Sequence, residues 1–207
     1  ILRRKLNIHM QFPNGVRGDR FDEELIALMK QAGTHYMAIA IETVSPKFQK
    51  LVRKNLKIDK ARESIEWARK HDIEVSGLFM IGFPGETEAE VNETLDFAVT
   101  APLDAIFVSI VAPFKGTKLR TDMLSGKFGE MGTEDTDALN QLFPIVHNAA
   151  LTKETLAKMQ SKAYWRFYTK PVSILNLGKK LTNWQNVMKL SRAVYRRVSQ
   201  KDSVSVN

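Results

Sequence analysis

The chain has 207 residues, 43% of them hydrophobic and 26% charged, enough apolar content for a buried core and one or two domains. It contains no cysteine, which excludes disulfides, thiolate zinc sites, a cysteine nucleophile and a cysteine-ligated cluster within these residues. The longest apolar runs, Val75–Phe83 and Ala105–Phe114, are too short to cross a bilayer, and Ile1–Leu6 carries Arg3, Arg4 and Lys5, unlike a secretory signal, so a cytoplasmic protein is expected.

Leu6–Phe12 alternates strictly, with Leu6, Ile8, Met10 and Phe12 on one face, and predicts a half-buried strand that Pro13-Asn14-Gly15 ends. Asp22–Ala32 predicts a helix with Leu25, Leu28 and Met29 as its apolar positions and Gly33 as its stop. His35–Ile41 is a second strand. Ser45-Pro46 opens a short helix, with serine as cap and proline at the first helical position. Asp59 is expected to cap the next helix, whose stripe is Ala61, Ile65 and Ala68. Ile73–Ile81 is an almost unbroken apolar run, as in a strand covered on both faces. Thr87 and Glu90 form a capping box for a helix through Val99. Ala105–Val111 is a fourth strand of the same covered kind. This alternation predicts an α/β fold with a parallel sheet, doubly wound or part of a barrel.

After Leu119 the texture changes. Ser125–Gly132 reads as a loop, and Thr136–Val146, Thr152–Phe167 and Asn183–Val198 as helices, with Pro171 as a break. From His147 to Asn207 twelve Lys and Arg stand against Glu154 and Asp202, while the remainder of the chain is nearly neutral. A nucleic-acid reading would rest on this tail; a solvated basic helix face is the plainer account, and no specific nucleic acid is expected.

In parallel α/β folds ligands gather where strands lead into helices. Four such segments fall on one rim: Asn14-Gly15-Val16-Arg17, Glu42-Thr43-Val44-Ser45, Gly82-Phe83-Pro84-Gly85-Glu86-Thr87 and Pro113-Phe114-Lys115-Gly116-Thr117. Glu42 shares a strand face with Ala38 and Ala40, whose small side chains would leave room before it. Its carboxylate can accept hydrogen bonds from ribose hydroxyls or an ammonium group, or pair with a nearby Lys or Arg. The Pro84-Gly85 turn can bring backbone N–H groups to a ligand, or be a plain strand-to-helix turn. It lacks the spacing of a phosphate-binding loop, which rejects a nucleoside triphosphatase. His9, beside Asn7 and Gln11, is an acid–base candidate or a structural histidine. His35, His71 and His147 have no metal-ligand spacing, and Met80 and Trp67 read as packing residues.

Taken in order, Pro13-Asn14-Gly15-Val16-Arg17, Leu28-Met29-Lys30-Gln31-Ala32-Gly33, Ile39-Ala40-Ile41-Glu42-Thr43, Gly77 through Thr87 and Ala112-Pro113-Phe114-Lys115-Gly116-Thr117 resemble the second half of a radical S-adenosylmethionine (SAM) domain. The subgroup it is most similar to carries an N-terminal cobalamin-binding domain, and Ala163–Pro171 resembles the helical extension of that class. Two positions depart from the pattern: Thr43-Val44-Ser45 replaces the usual Ser-Gly, and Lys115 replaces a proline.

The resemblance implies a partial parallel TIM-like (β/α) barrel of about four βα units over residues 1–119, followed by a helical extension over 120–207. It implies a radical SAM oxidoreductase or methyltransferase that cleaves SAM to a deoxyadenosyl radical and acts on a small-molecule substrate. Its cofactors would be SAM, a 4Fe-4S cluster and, through the subgroup alone, cobalamin. Glu42 would contact the ribose or amino-acid portion of SAM; Gly82, Phe83, Pro84 and Gly85 would lie against its adenosine; His9, Asn14 and Arg17 would line the cavity. The CxxxCxxC that holds the cluster is absent, so the sequence reads as a fragment, inactive alone, whose partner is the preceding part of the same polypeptide. Two rival readings are a barrel hydrolase with Glu42 and Glu86 as paired carboxylates, and a basic, non-catalytic interaction module.

Overall fold

The computed structural model of the chain describes residues 1–112, 114, 116–127 and 151–171. The helices expected at Thr136–Val146 and Asn183–Val198 lie outside these residues, as does most of the basic tail. The described elements are β1 (Met10–Val16), α1 (Glu23–Gln31), β2 (Thr34–Glu42), α2 (Pro46–Leu51), α3 (Ile58–Lys70), β3 (Glu74–Ile81), α4 (Glu88–Thr100), β4 (Ala105–Ile110), α5 (Lys118–Leu124) and α6 (Lys153–Tyr168). The chain forms two compact units, Ile1–Phe167 and Tyr168–Asn207, and all of these elements but the last residue of α6 fall in the first.

The four strands form one parallel sheet in the order β1-β2-β3-β4, as the alternating pattern requires. One face is covered by helices. Met37, Ile39 and Ile41 of β2, Val75, Phe79 and Ile81 of β3 and Ile106, Val108 and Ile110 of β4 join Ile26, Ala61, Ile65, Ala68, Val91 and Leu95 in a single core. Leu156, Met159, Ala163 and Phe167 of α6 extend that core. Full burial of such side chains stabilises the fold by about 1.5–3 kcal/mol each.

The capping box of α4 forms as expected: Thr87 Oγ1 accepts from the Glu90 N–H and the Glu90 carboxylate accepts from the Thr87 N–H. The stripe Ala61, Ile65 and Ala68 is fully buried. Elsewhere the structure departs from the sequence pattern. β1 runs from Met10 to Val16, not from Leu6 to Phe12, and takes Pro13-Asn14-Gly15 into the strand through a register shift between Phe12 and Val16. β1 lies at the sheet edge, where proline's missing N–H need cost no ladder bond. On α1 the buried residue is Ile26, while Leu25 and Leu28 are each 41% exposed. α3 is capped at Lys57, not Asp59. Nor are β3 and β4 covered on both faces: Leu78 and Met80 are half-buried and Phe107 is 50% exposed. The uncovered face is apolar because it lines a cleft.

Candidate functional site

The C-terminal ends of β2, β3 and β4 border a cleft of about 790 Å3. Glu42 and Phe83 stand on its rim, Leu78, Met80, Phe107 and Ser109 line it from the sheet, and Val52, Phe114, Leu119 and Tyr164 also border it. A cleft of this size, mostly apolar with a few polar groups, suits a small organic ligand.

Glu42 ends β2 in the left-handed region, with φ 66°, a conformation rarely adopted by a residue with a side chain. Its backbone is held by Gln49, a buried residue of α2. The Gln49 side-chain amide donates to the carbonyls of Ile41 (2.8 Å) and Thr43 (2.6 Å), and its oxygen accepts from the Leu56 N–H (2.9 Å). One Glu42 oxygen accepts from Lys54 Nζ at 3.0 Å. The other carries no hydrogen bond from the described residues. Glu42 thus pairs with a lysine, one of its two open readings, and lines the cleft. The room before it is smaller than Ala38 and Ala40 suggest. The β1 bulge folds over β2, so that a Cβ on Gly15 would lie 2.9 Å from that of Ala40 and 3.1 Å from Leu78 Cδ1.

Arg17 is a brace for this corner. It forms a double hydrogen bond with Asp19 (2.7 and 3.0 Å) and donates to the carbonyls of Lys54 (2.6 Å) and Asn55 (3.1 Å). Asn14 is an exposed residue of the β1 bulge. His9 does not join them. It precedes β1 and meets His35 edge-on, ring centroids 5.9 Å apart, at the start of β2 and thus at the opposite end of the sheet from Glu42. The four-residue displacement of β1 moves it there.

The turn after β3 is assembled by side chains. Glu86, with 0% exposure, accepts from the N–H groups of Gly82 (2.6 Å) and Phe83 (2.9 Å). Burial pushes its carboxyl up to about 7, against the pull of those two N–H donors. Phe83 stacks on Phe48 with centroids 5.2 Å apart. Lys47 Nζ donates to the Gly85 carbonyl at 2.9 Å and pairs with Glu90 at 3.6 Å. Gly82, at φ 81°, packs against Leu156 of α6; Pro84 is buried and Gly85 exposed. The paired-carboxylate hydrolase fails on this geometry: Glu86 turns into its own loop and does not line the cleft, while Glu42 does. Sequence reasoning missed Lys54 and Gln49, which no local motif marks.

Among the described residues no three His, Asp or Glu side chains come together as metal ligands, and the chain has no cysteine. The donor set of an iron–sulfur cluster is thus not found in these residues.

A parallel α/β sheet with a cleft at the C-terminal ends of its strands fits a partial barrel, and comparison with known proteins shows which barrels it is similar to. Residues 5–98 match the model of the radical SAM superfamily, and over this stretch the chain is similar to that superfamily. An uncharacterized methyltransferase of Pyrococcus horikoshii is 28% identical over 155 residues, covering 75% of this chain and 33% of its own length. A putative methylthiotransferase of Methanocaldococcus jannaschii is 28% identical over 162 residues, covering 72% of this chain and 36% of its own. The chain therefore spans about a third of the length of these relatives. The structure of a radical SAM methyltransferase from Kitasatospora setae, solved with cobalamin and a 4Fe-4S cluster bound, covers 72% of this chain and 30% of its own at a TM-score of 0.52 and 13% identity; it shows a shared fold.

Proposed function

We propose that the rim binds SAM as part of a radical SAM methyltransferase or methylthiotransferase, and that Glu42, Gly82, Phe83, Pro84 and Gly85 are its cofactor contacts in this chain. The observation that carries the reading is Glu42: a carboxylate on the cleft in a left-handed backbone position, one oxygen fixed by Lys54, the other without a hydrogen bond from the described residues, with Phe83 lining the same cleft. That oxygen accepts from the ribose hydroxyls or the ammonium group of SAM. Phe83, clamped on Phe48 and lining the cleft, is the part of the turn that would lie against the adenosine. Arg17 supports Lys54 from behind, and Asn14 borders the substrate side. When bound with a reduced cluster, SAM would supply the deoxyadenosyl radical characteristic of that superfamily. The relatives' names favour transfer of a methyl or methylthio group over a plain oxidation. Cobalamin, a small-molecule substrate and a cytoplasmic setting belong to the same reading.

The cysteines of the cluster would come from a further segment of the polypeptide. Two features fit one: β1 is an edge strand, and Leu25 and Leu28 are exposed on the neighbouring α1. No helix among the described residues is long and apolar enough to cross a membrane. The test is calorimetric titration of SAM into the full-length polypeptide and its Glu42→Gln variant. A charge-assisted hydrogen bond is worth about 1.5–3 kcal/mol, so affinity should fall roughly tenfold to a hundredfold. Equal affinity with an intact fold would remove Glu42 from the site.

A further inference from the structure

We propose that Glu86 is the positioning residue of the rim turn, and that its protonation state decides how firmly Gly82 and Phe83 are held. The inference rests on reading that turn as part of the SAM rim. Glu86 touches no ligand position itself. It acts through two consecutive N–H groups, which one of its oxygens gathers at 2.6 and 2.9 Å.

The surroundings make this group respond to protons. Glu86 is fully buried, in a turn whose Phe83 stacks on Phe48 and whose Gly82 packs against Leu156. Among the described residues, Glu90 of α4 disfavours its ionised form and Lys47 of α2 favours it. Lys47 is already engaged with Glu90 and the Gly85 carbonyl. Burial dominates, so the closed turn favours the neutral acid, with its midpoint near 7. Opening the turn hydrates the carboxyl and returns it to an ordinary value. By linkage the closed turn is then firm below neutrality and loosens as pH rises through 7. A neutral side-chain amide could accept from the same N–H groups without this response. The presence of a carboxyl is what makes the rim titratable.

The experiment is hydrogen exchange, read by mass spectrometry on peptides covering Ile81–Glu88, with the full-length polypeptide, Glu86→Gln and Glu86→Ala at pH 6 and 8. Protection is corrected for intrinsic rates. Protection of Gly82 and Phe83 should fall about tenfold from pH 6 to pH 8 in the native protein and stay level in Glu86→Gln, which keeps an acceptor and cannot ionise. It should be low at both pH values in Glu86→Ala. The same pH response in the native protein and Glu86→Gln would overturn the proposal, and that pair decides it even if Glu86→Ala does not fold. SAM affinity of the same proteins by equilibrium dialysis separates the two readings. A turn that behaves as expected with no SAM bound to any variant sinks the cofactor assignment and leaves the role of Glu86 standing.

Discussion

The hydroxyl of Tyr164 on α6 accepts the backbone N–H of Val108 on β4 at 2.9 Å. Gln160, one turn earlier, donates its side-chain amide to the carbonyl of the same residue at 2.7 Å. Two side chains thus satisfy both backbone groups of Val108 on the outer edge of β4. An open parallel edge is a template for association, and α6 blocks this one at Val108 while adding Tyr164 to the cleft wall.

The edge cap has a direct consequence. Tyr164→Phe leaves the Val108 N–H without its partner and should lower stability by about 1–3 kcal/mol. The double variant Gln160→Ala/Tyr164→Phe should also self-associate as protein concentration rises. Urea denaturation and sedimentation velocity measure the two effects. Unchanged stability in Tyr164→Phe would show that the hydroxyl contributes nothing to the edge.

How much of this was legible in the sequence depended on whether the signal was local. The segment Gly82–Glu90 could be read because its glycines, proline and capping box lie within nine consecutive residues. The stripe of α3 followed from spacing alone. β1 was misplaced because Pro13-Asn14-Gly15 is ordinary turn punctuation, and only its position at a sheet edge lets a strand absorb it. The apolar runs of β3 and β4 suggested full cover because periodicity cannot tell a helix-covered face from one that lines an apolar cleft. Lys54 and Gln49 were invisible: each acts across a loop on Glu42 or on the backbone beside it. His9 followed β1, and its role depended on which end of the strand it occupies.

Gly82 and Gly85 separate two reasons for a glycine. Both have positive φ, 81° and 74°, but a Cβ on Gly82 would lie 2.9 Å from Leu156 Cδ1, while one on Gly85 meets nothing within 4 Å. Gly85→Ala should lose about 1 kcal/mol through backbone strain alone. Gly82→Ala should lose that and a packing increment of roughly 1–3 kcal/mol more. Equal losses in urea denaturation would mean that α6 does not press on the rim.

The cluster gives a spectroscopic test of how the chemistry is divided along the polypeptide. With no cysteine in these 207 residues, anaerobic treatment of the chain with iron and sulfide should leave it colourless, and it should release no deoxyadenosine from SAM. Adding a covalently joined segment that bears the CxxxCxxC should restore both the visible absorbance and the cleavage. Stoichiometric cluster binding by the chain alone would overturn the proposed division.

Glu86 should also leave a mark on global stability, with a definite sign. Its folded value is raised from 4.5 to about 7, so the native state holds this proton more tightly than the unfolded chain. Its stabilising contribution is complete below about 4.5 and is lost as pH rises through 7. The full span corresponds to about 3 kcal/mol. Other titrating groups cancel when the native protein is compared with Glu86→Gln at each pH. The variant should therefore gain stability relative to the native protein between pH 5 and pH 8, by up to that amount. Denaturant titrations at the two pH values measure the difference. A constant difference would mean that Glu86 titrates alike in the folded and unfolded states, and that the interior around Gly82 and Phe83 does not resist its charge.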